Sequence, residues 1–204
     1  MAKTALPLLL ALALLHAGAA LAQAPREITV TADSAPGWVP SDDQIDHALQ
    51  AMQTYFAAAD RGDAEAAYAL LHPAFKKDLP VGQFASRLKA FNTAAGAVRE
   101  RRVLAQTWTK DPKDAPFPGV YAALDLSDRF ARIDRHCGYV ILYQAPAGGD
   151  FQLLREEFNY MTNASANGAR TAVEAERNWA KLSSNCHNYP APPARVSAPA
   201  DSGR

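Results

Sequence analysis

At Gly96 the hydrophobic rhythm of this 204-residue chain changes, from a period of three to four residues before it to a period of two after it. The switch calls for helices first and strands afterwards. Ser41 precedes Gln44 by the spacing of a capping box, and Ile45, Ala48, Leu49, Met52, Tyr55, Phe56 and Ala59 then fall on one helical face. Gly62 stands where a left-handed C-cap belongs. Asp63 can cap a second, short helix burying Ala67, Leu70 and Leu71, which His72-Pro73 should end because the residue before proline resists the α conformation. A third helix begins near Pro80, carries Phe84, Leu88 and Phe91, and closes at Gly96. None of these amphipathic helices can bury its apolar face alone.

Beyond Gly96, segments 103–109, 120–126, 137–143 and 151–160 read as strands from their alternation and their β-branched and aromatic content. Pro146-Ala147-Gly148-Gly149-Asp150 is a hairpin loop, so the last two pair antiparallel. The third strand is apolar on both phases and reads as central. The long loop 111–119 either walls a cavity or only connects. A last helix is expected over 169–182, with Ala172, Ala175, Trp179 and Leu182 opposite Glu174, Arg177 and Lys181. The predicted fold class is α+β: three N-terminal helices packed on a curved four-stranded antiparallel sheet, plus a C-terminal helix.

The first residues define the compartment. Lys3 precedes an apolar run through Leu15, and Ala20-Leu21-Ala22 is a small-x-small cleavage site, with Ala24 as an alternative. The run falls short of the roughly 20 residues a membrane span needs. No cysteine follows the site, so no lipid anchor is expected, and the mature chain should be periplasmic or secreted without a membrane anchor. The predicted divisions are a signal peptide over 1–22, a leader over 23–40 with the β-like run Ile28-Thr29-Val30-Thr31, and the α+β domain over 41–162. A C-terminal helix and disulfide segment over 163–189 and a floppy Pro/Ala/Ser/Gly tail over 190–204 complete the chain.

Acidic and basic residues balance at 21 each, and loss of Lys3 leaves the mature form one charge negative. Such a field attracts neither nucleic acid nor anionic lipid. The run Arg99-Glu100-Arg101-Arg102 reads as the solvated start of a strand.

Two cysteines in an exported domain, Cys137 and Cys186, are expected to pair and so tie the terminal helix to the central strand. The competing reading is a metal site from His136-Cys137 and Cys186-His187. Its weakness is that adjacent strand residues point to opposite faces. No metal and no cofactor is expected.

The weak candidates for acid–base chemistry are Asp125, His136 and Glu157, with Arg129 or Arg155 near enough to shift a carboxylate. Glu157 shares the strand phase of Phe151 and Leu153, which aims it at the core and would raise its pKa. The alternative is a cross-strand salt bridge, and which of Glu156 and Glu157 points inward stays open. Trp108, Tyr121 and Tyr139, with Arg129, are the candidate ligand-binding set. The aromatics among them, and Tyr143, could equally be core. Ser183-Ser184 lacks a nucleophile-elbow setting. His47 falls on a polar helix face, and His72 reads as a cap or surface group.

Three helices followed by a meandering sheet resemble the cone-shaped α+β fold of nuclear transport factor 2-like proteins. In more detail, Ala59-Asp60-Arg61-Gly62-Asp63, Pro118-Gly119-Val120-Tyr121-Ala122-Ala123, Cys137-Gly138-Tyr139-Val140 and Arg155-Glu156-Glu157 resemble uncharacterised bacterial exported proteins classed as a domain of unknown function, over residues 41–162. The resemblance implies a fold and a compartment and no activity. The wider superfamily spans isomerases, polyketide cyclases and non-enzymatic binding modules, and its enzymes often place an Asp, His or Tyr inside the cone. No motif here carries such a role over residue by residue. The expected function is binding of an unidentified small molecule or a periplasmic protein at the cone's open end, with self-association into a homodimer left open. The alternatives are a small isomerase or hydrolase using Glu157 or Asp125 with His136 or Tyr139, and then a metal-binding protein.

Overall fold

The computed structural model describes residues 27–186, 188 and 189, with the backbone of residues 20 and 21. The apolar N-terminal run, the cleavage expected after Ala22, the 190–204 segment and His187 lie outside the described residues.

Helix α1, Asp42–Asp60, starts at a reciprocal cap: Gln44 N–H donates to Ser41 Oγ and Ser41 N–H to Gln44 Oε1. Its inward face is Ala48, Met52, Tyr55, Phe56 and Ala59. Gly62 then takes φ +74°, the left-handed conformation a side chain resists. Helix α2, Ala64–Ala69, is capped by Asp63. The sequence reading stops at His72-Pro73, yet α3, Pro73–Lys77, begins there. Proline suits the first helical turn, and His72 Nδ1 accepts from Ala74 N–H, so one dipeptide serves both as stop and as start. Helix α4, Val81–Ala95, has no side-chain cap and ends at Gly96 with φ +71°.

Among the described residues there are six strands: β1 (Ala20–Leu21), β2 (Thr29–Val30), β3 (Val98–Lys110), β4 (Val120–Phe130), β5 (Ile133–Gln144) and β6 (Gln152–Thr162). The four long ones form an antiparallel meander in the order β3-β4-β5-β6. The sheet as a whole is mixed, which corrects the antiparallel expectation, because β1 and β2 both pair parallel to β3. A meander leaves the outer edge of β3 with unpaired N–H and C=O groups, and the leader segment runs alongside and satisfies some of them. On the opposite edge the 70–72 segment bridges β6: His72 N–H donates to Leu153 O and Leu153 N–H to Leu70 O. The long strands extend past the predicted spans because charged residues interrupt the apolar alternation without breaking the pleat.

One face of the sheet packs on α1, α2 and α4 through Trp108, Leu124, Leu126, Val140, Leu142 and Leu153. Each such side chain contributes about 1.5–3 kcal/mol on full burial. The other face carries α5 (Asn163–Asn167) and α6 (Ala172–Leu182), where Trp179 closes over Cys137, Met161 and Ala166. Cys137 and Cys186 form a disulfide, Cα to Cα 5.9 Å, on that second face. Arg135 reinforces it by donating both terminal nitrogens to Glu176 of α6, at 2.8 and 2.6 Å. No helix among the described residues is long and apolar enough to cross a membrane.

A buried charge cluster as the candidate functional site

Four strands each deliver one polar side chain to the helix-covered face near one end of the sheet. Arg101 of β3 pairs with Asp128 of β4 across the ladder. Leu126 faces Gly138, which places His136 of β5 next to Asp128 on the same row. Glu156 of β6 and Tyr55 and Asp60 of α1 complete the group. The side chains line a cavity of about 340 Å³ whose remaining wall is mostly apolar, including Phe84, Leu88, Phe91, Phe130 and Phe158, with Arg87, Asn92 and Tyr160 also on it.

The guanidinium of Arg101 is 4 % exposed. It donates through Nε to Asp128 Oδ2 at 2.9 Å and through Nη1 and Nη2 to Asp60, at 2.9 and 3.4 Å. Its Cζ lies 3.7 Å from the centroid of the Phe56 ring. Burial opposes the charge of Arg101, but Asp128 and Asp60 outweigh it and raise its pKa. One guanidinium serves two carboxylates, and Asp128 is the deeper of them. Burial therefore wins over the pull of Arg101 and lifts the Asp128 carboxyl to about 6.

His136 is 2 % exposed, and burial together with Arg101 pushes its pKa down to about 3, so the imidazole is neutral at ordinary pH. Its Nδ1 stands 3.9 Å from Asp128 Oδ2, too far for a hydrogen bond. Among the described residues Nδ1 and the other Asp128 oxygen, Oδ1, have no hydrogen-bond partner. Tyr55 Oη donates to Glu156 Oε2 at 2.6 Å. Burial and then Glu156 raise the Tyr55 pKa well above 10, and burial raises that of Glu156.

Of the acid–base candidates taken from the sequence, His136 lies in this cavity and the other two lie elsewhere. Asp125 accepts from Asn188 Nδ2 at 2.6 Å on the opposite face. Glu157 also points to that face, where Tyr139 and Arg155 each donate to it at 2.9 Å and hold its carboxyl below the usual range. The inward residue is Glu156. The cause is a bulge: Ile141 faces Arg155 while Leu142 faces Leu153, so Leu154 is extra and the phase of β6 reverses after it. Strict alternation from Leu153 therefore points to the wrong glutamate.

None of the four candidate ligand residues lines the cavity. Trp108 is fully buried against Phe151, ring centroids 6.0 Å apart. Tyr121 donates to Phe117 O at 2.6 Å, Tyr139 belongs with Glu157, and Arg129 is exposed beside Glu100 at 3.5 Å. The 111–119 loop packs Phe117 on His72 and Tyr143, away from the cavity. Arg101 is the exception to the solvated reading of its charged run, in which Arg99 is exposed and Glu100 and Arg102 are partly so. The two cysteine sulfurs are bonded to each other, which removes both thiolates from the metal set, and among the described residues no group of three or more His, Cys, Asp or Glu could hold a metal ion. Asp60, Arg101 and Asp128 are the residues sequence reasoning missed. Asp128 did carry a signal: it shares the inward phase of Leu124 and Leu126, where a charge requires a partner.

Residues 51–154 match the family model described as a protein of unknown function, DUF4019. The chain belongs to the DUF4019 family. No curated protein and no solved structure gives a significant match. The DUF4019 segment includes Tyr55, Asp60, Arg101, Asp128 and His136. Glu156, α6 and Cys186 fall after it, so the buried cluster belongs almost wholly to the shared domain and the disulfide staple is built partly outside it.

Proposed function

We propose that this DUF4019 protein is an exported binding module that holds a compact, largely apolar small molecule between α1, α4 and the sheet. The observation that carries the reading is the cavity itself: about 340 Å³, walled by aromatic and aliphatic side chains, with polar groups gathered at Asp128 and His136. Ligand sites have this build, about 300–1,000 Å³ of mostly apolar wall with a few convergent polar atoms. The disulfide and the leading apolar run support export, to the periplasm or beyond. Helices packed on a meandering sheet support a nuclear transport factor 2-like cone, with the cavity inside it.

The test is calorimetric titration with indole, a flat apolar probe. The native protein is expected to bind it stoichiometrically. Leu88→Trp, which fills the cavity from α4, is expected to abolish binding while leaving the thermal midpoint within a few degrees. Binding unchanged in that variant places the ligand elsewhere and overturns the reading.

A second reading, catalysis on the bound molecule, is favoured by one observation. Asp128 combines a carboxyl raised to about 6 with an oxygen that has no hydrogen-bond partner among the described residues, which suits it to take a proton from a substrate at neutral pH. Asp128 with His136 replaces Glu157 or Asp125 with His136 or Tyr139 as the pair to test for turnover.

A further inference from the structure

The hydrogen-bond inventory at the polar end of the cavity is one-sided. Arg101 directs Nε at Asp128 and both terminal nitrogens at Asp60, and Tyr55 spends its hydroxyl proton on Glu156. Asn92, also on the wall, donates to Ala59 O. These buried donors are committed, Arg87 and Tyr160 being exposed, whereas Asp128 Oδ1 and His136 Nδ1 are buried and without a partner among the described residues. Leaving such atoms unpaired costs about 1–3 kcal/mol each, and the carboxylate oxygen Asp128 Oδ1 can only accept, so a molecule that satisfies it must bring an N–H or O–H group.

Charge narrows the choice. The lining holds three carboxylates, buried Asp128, half-buried Glu156 and exposed Asp60, against two guanidiniums, buried Arg101 and exposed Arg87, an excess of one acidic group. A cation offsets that excess, and an anion adds to it. The walls select the same sign. The His136 ring is flanked by Phe130 at 5.1 Å and Phe158 at 5.0 Å, with Phe91 at 6.3 Å, and aromatic faces attract a cation through their quadrupoles.

We infer that the ligand is an organic amine, its ammonium group donating to Asp128 Oδ1 and to His136 Nδ1 while its hydrocarbon part lies among Phe91, Phe130 and Phe158. The inference rests on the proposed binding function and specifies its ligand. In this arrangement the neutral imidazole carries its proton on Nε2, which leaves Nδ1 as an acceptor. Size sets the hydrocarbon part. An apolar cavity of about 150 Å³ accepts benzene, so one of about 340 Å³ accommodates two fused rings and a short arm.

Three probes on one skeleton separate the head groups: tryptamine, tryptophol and indole-3-propionate, titrated calorimetrically into the purified, oxidised protein at neutral pH. Tryptamine is expected to bind at least about tenfold more tightly than tryptophol, with the carboxylate not binding, since one desolvated charge-assisted contact is worth a factor of that order. Asp128→Asn should reduce tryptamine to the affinity of tryptophol. Equal affinity of amine and alcohol, or binding of the carboxylate, overturns the amine assignment and leaves the pocket reading intact. If none of the three binds, and indole itself does not, the binding function falls with it. The native series decides the matter even where Asp128→Asn fails to fold.

Discussion

Asp128 and His136 are neighbours with opposite responses to acid. The Asp128 carboxyl, raised from 3.8 to about 6, binds its proton more readily in the folded chain, so its contribution to stability is full below pH 4 and is lost as pH rises through 6. The His136 imidazole, lowered from 6.5 to about 3, resists its proton when folded, so its contribution is full above pH 6.5 and is lost as pH falls toward 3. Between pH 4 and 6 the two slopes largely cancel. Each variant should therefore expose the other residue's slope. Asp128→Asn is expected to lose stability on acidification from pH 6 to 4 more steeply than the native protein. His136→Gln is expected to lose less than the native protein, or to gain. The divergence between them is at most about 3 kcal/mol per group, because each tenfold change in proton affinity is worth about 1.4 kcal/mol. Denaturant midpoints measured across that range check it, and parallel profiles for the three proteins would remove the coupling of burial to charge. Removing the shared cation is a different matter. Arg101→Met leaves the buried Asp128 carboxylate without its counter-charge, for which the expected cost is about 3–5 kcal/mol at neutral pH by chemical denaturation.

Helices and strands follow from local chemistry, and the site depends on two local irregularities. The capping box at Ser41, the positive-φ glycines at 62 and 96 and the change of period at the second of them were legible because each is written in consecutive residues. A bulge is not written that way. Leu154 is an ordinary strand former, and only the pairing of β6 with β5 shows that it is the extra residue that turns Glu156 inward. The same limit hid the partnership of Asp60, Arg101 and Asp128, which are brought together by sheet register and by the end of α1. Sequence phase could flag Asp128 as an inward charge, but its partner lies 27 residues away on another strand. Gly138 is the complementary case, a residue whose reason appears only in the packing. A Cβ there would sit 2.1 Å from Glu157 O and 2.5 Å from Phe158 Cδ1. Overfilling a packed position costs about 1–3 kcal/mol, so Gly138→Ala should lower the denaturant midpoint accordingly. It should also weaken indole binding, because the Phe158 ring that must move is part of the cavity wall. A Gly138→Ala protein with native stability would mean that β5 and β6 separate at no cost.

On the scale of the whole molecule, the disulfide ties together two layers that do different work. The helix-covered face holds the cavity, and the opposite face carries α6, held by Trp179, the Arg135 to Glu176 ion pair and the Cys137 to Cys186 bond. His136 and Cys137 are consecutive, so the bridge anchors β5 directly behind the imidazole that faces the cavity. The closed loop spans 49 residues, for which chain-entropy arguments give about 4 kcal/mol of stabilisation. Reduction is therefore expected to act in two stages. Hydrogen exchange of α6 should rise first, since it buries only Ala175 and Trp179 and its ion pair through Glu176 is half-exposed. Amides of α1 and of β3 to β5 should keep their protection until the global transition, itself lowered by up to the same amount. Intact mass on the native protein should show no free thiol and a gain of two mass units on reduction, as the bonded pair requires. Comparing exchange in Cys186→Ser with that in the oxidised protein separates the layers. If the cavity-lining strands lose protection together with α6, the two faces form one cooperative unit and the staple supports the site as well as the helix behind it.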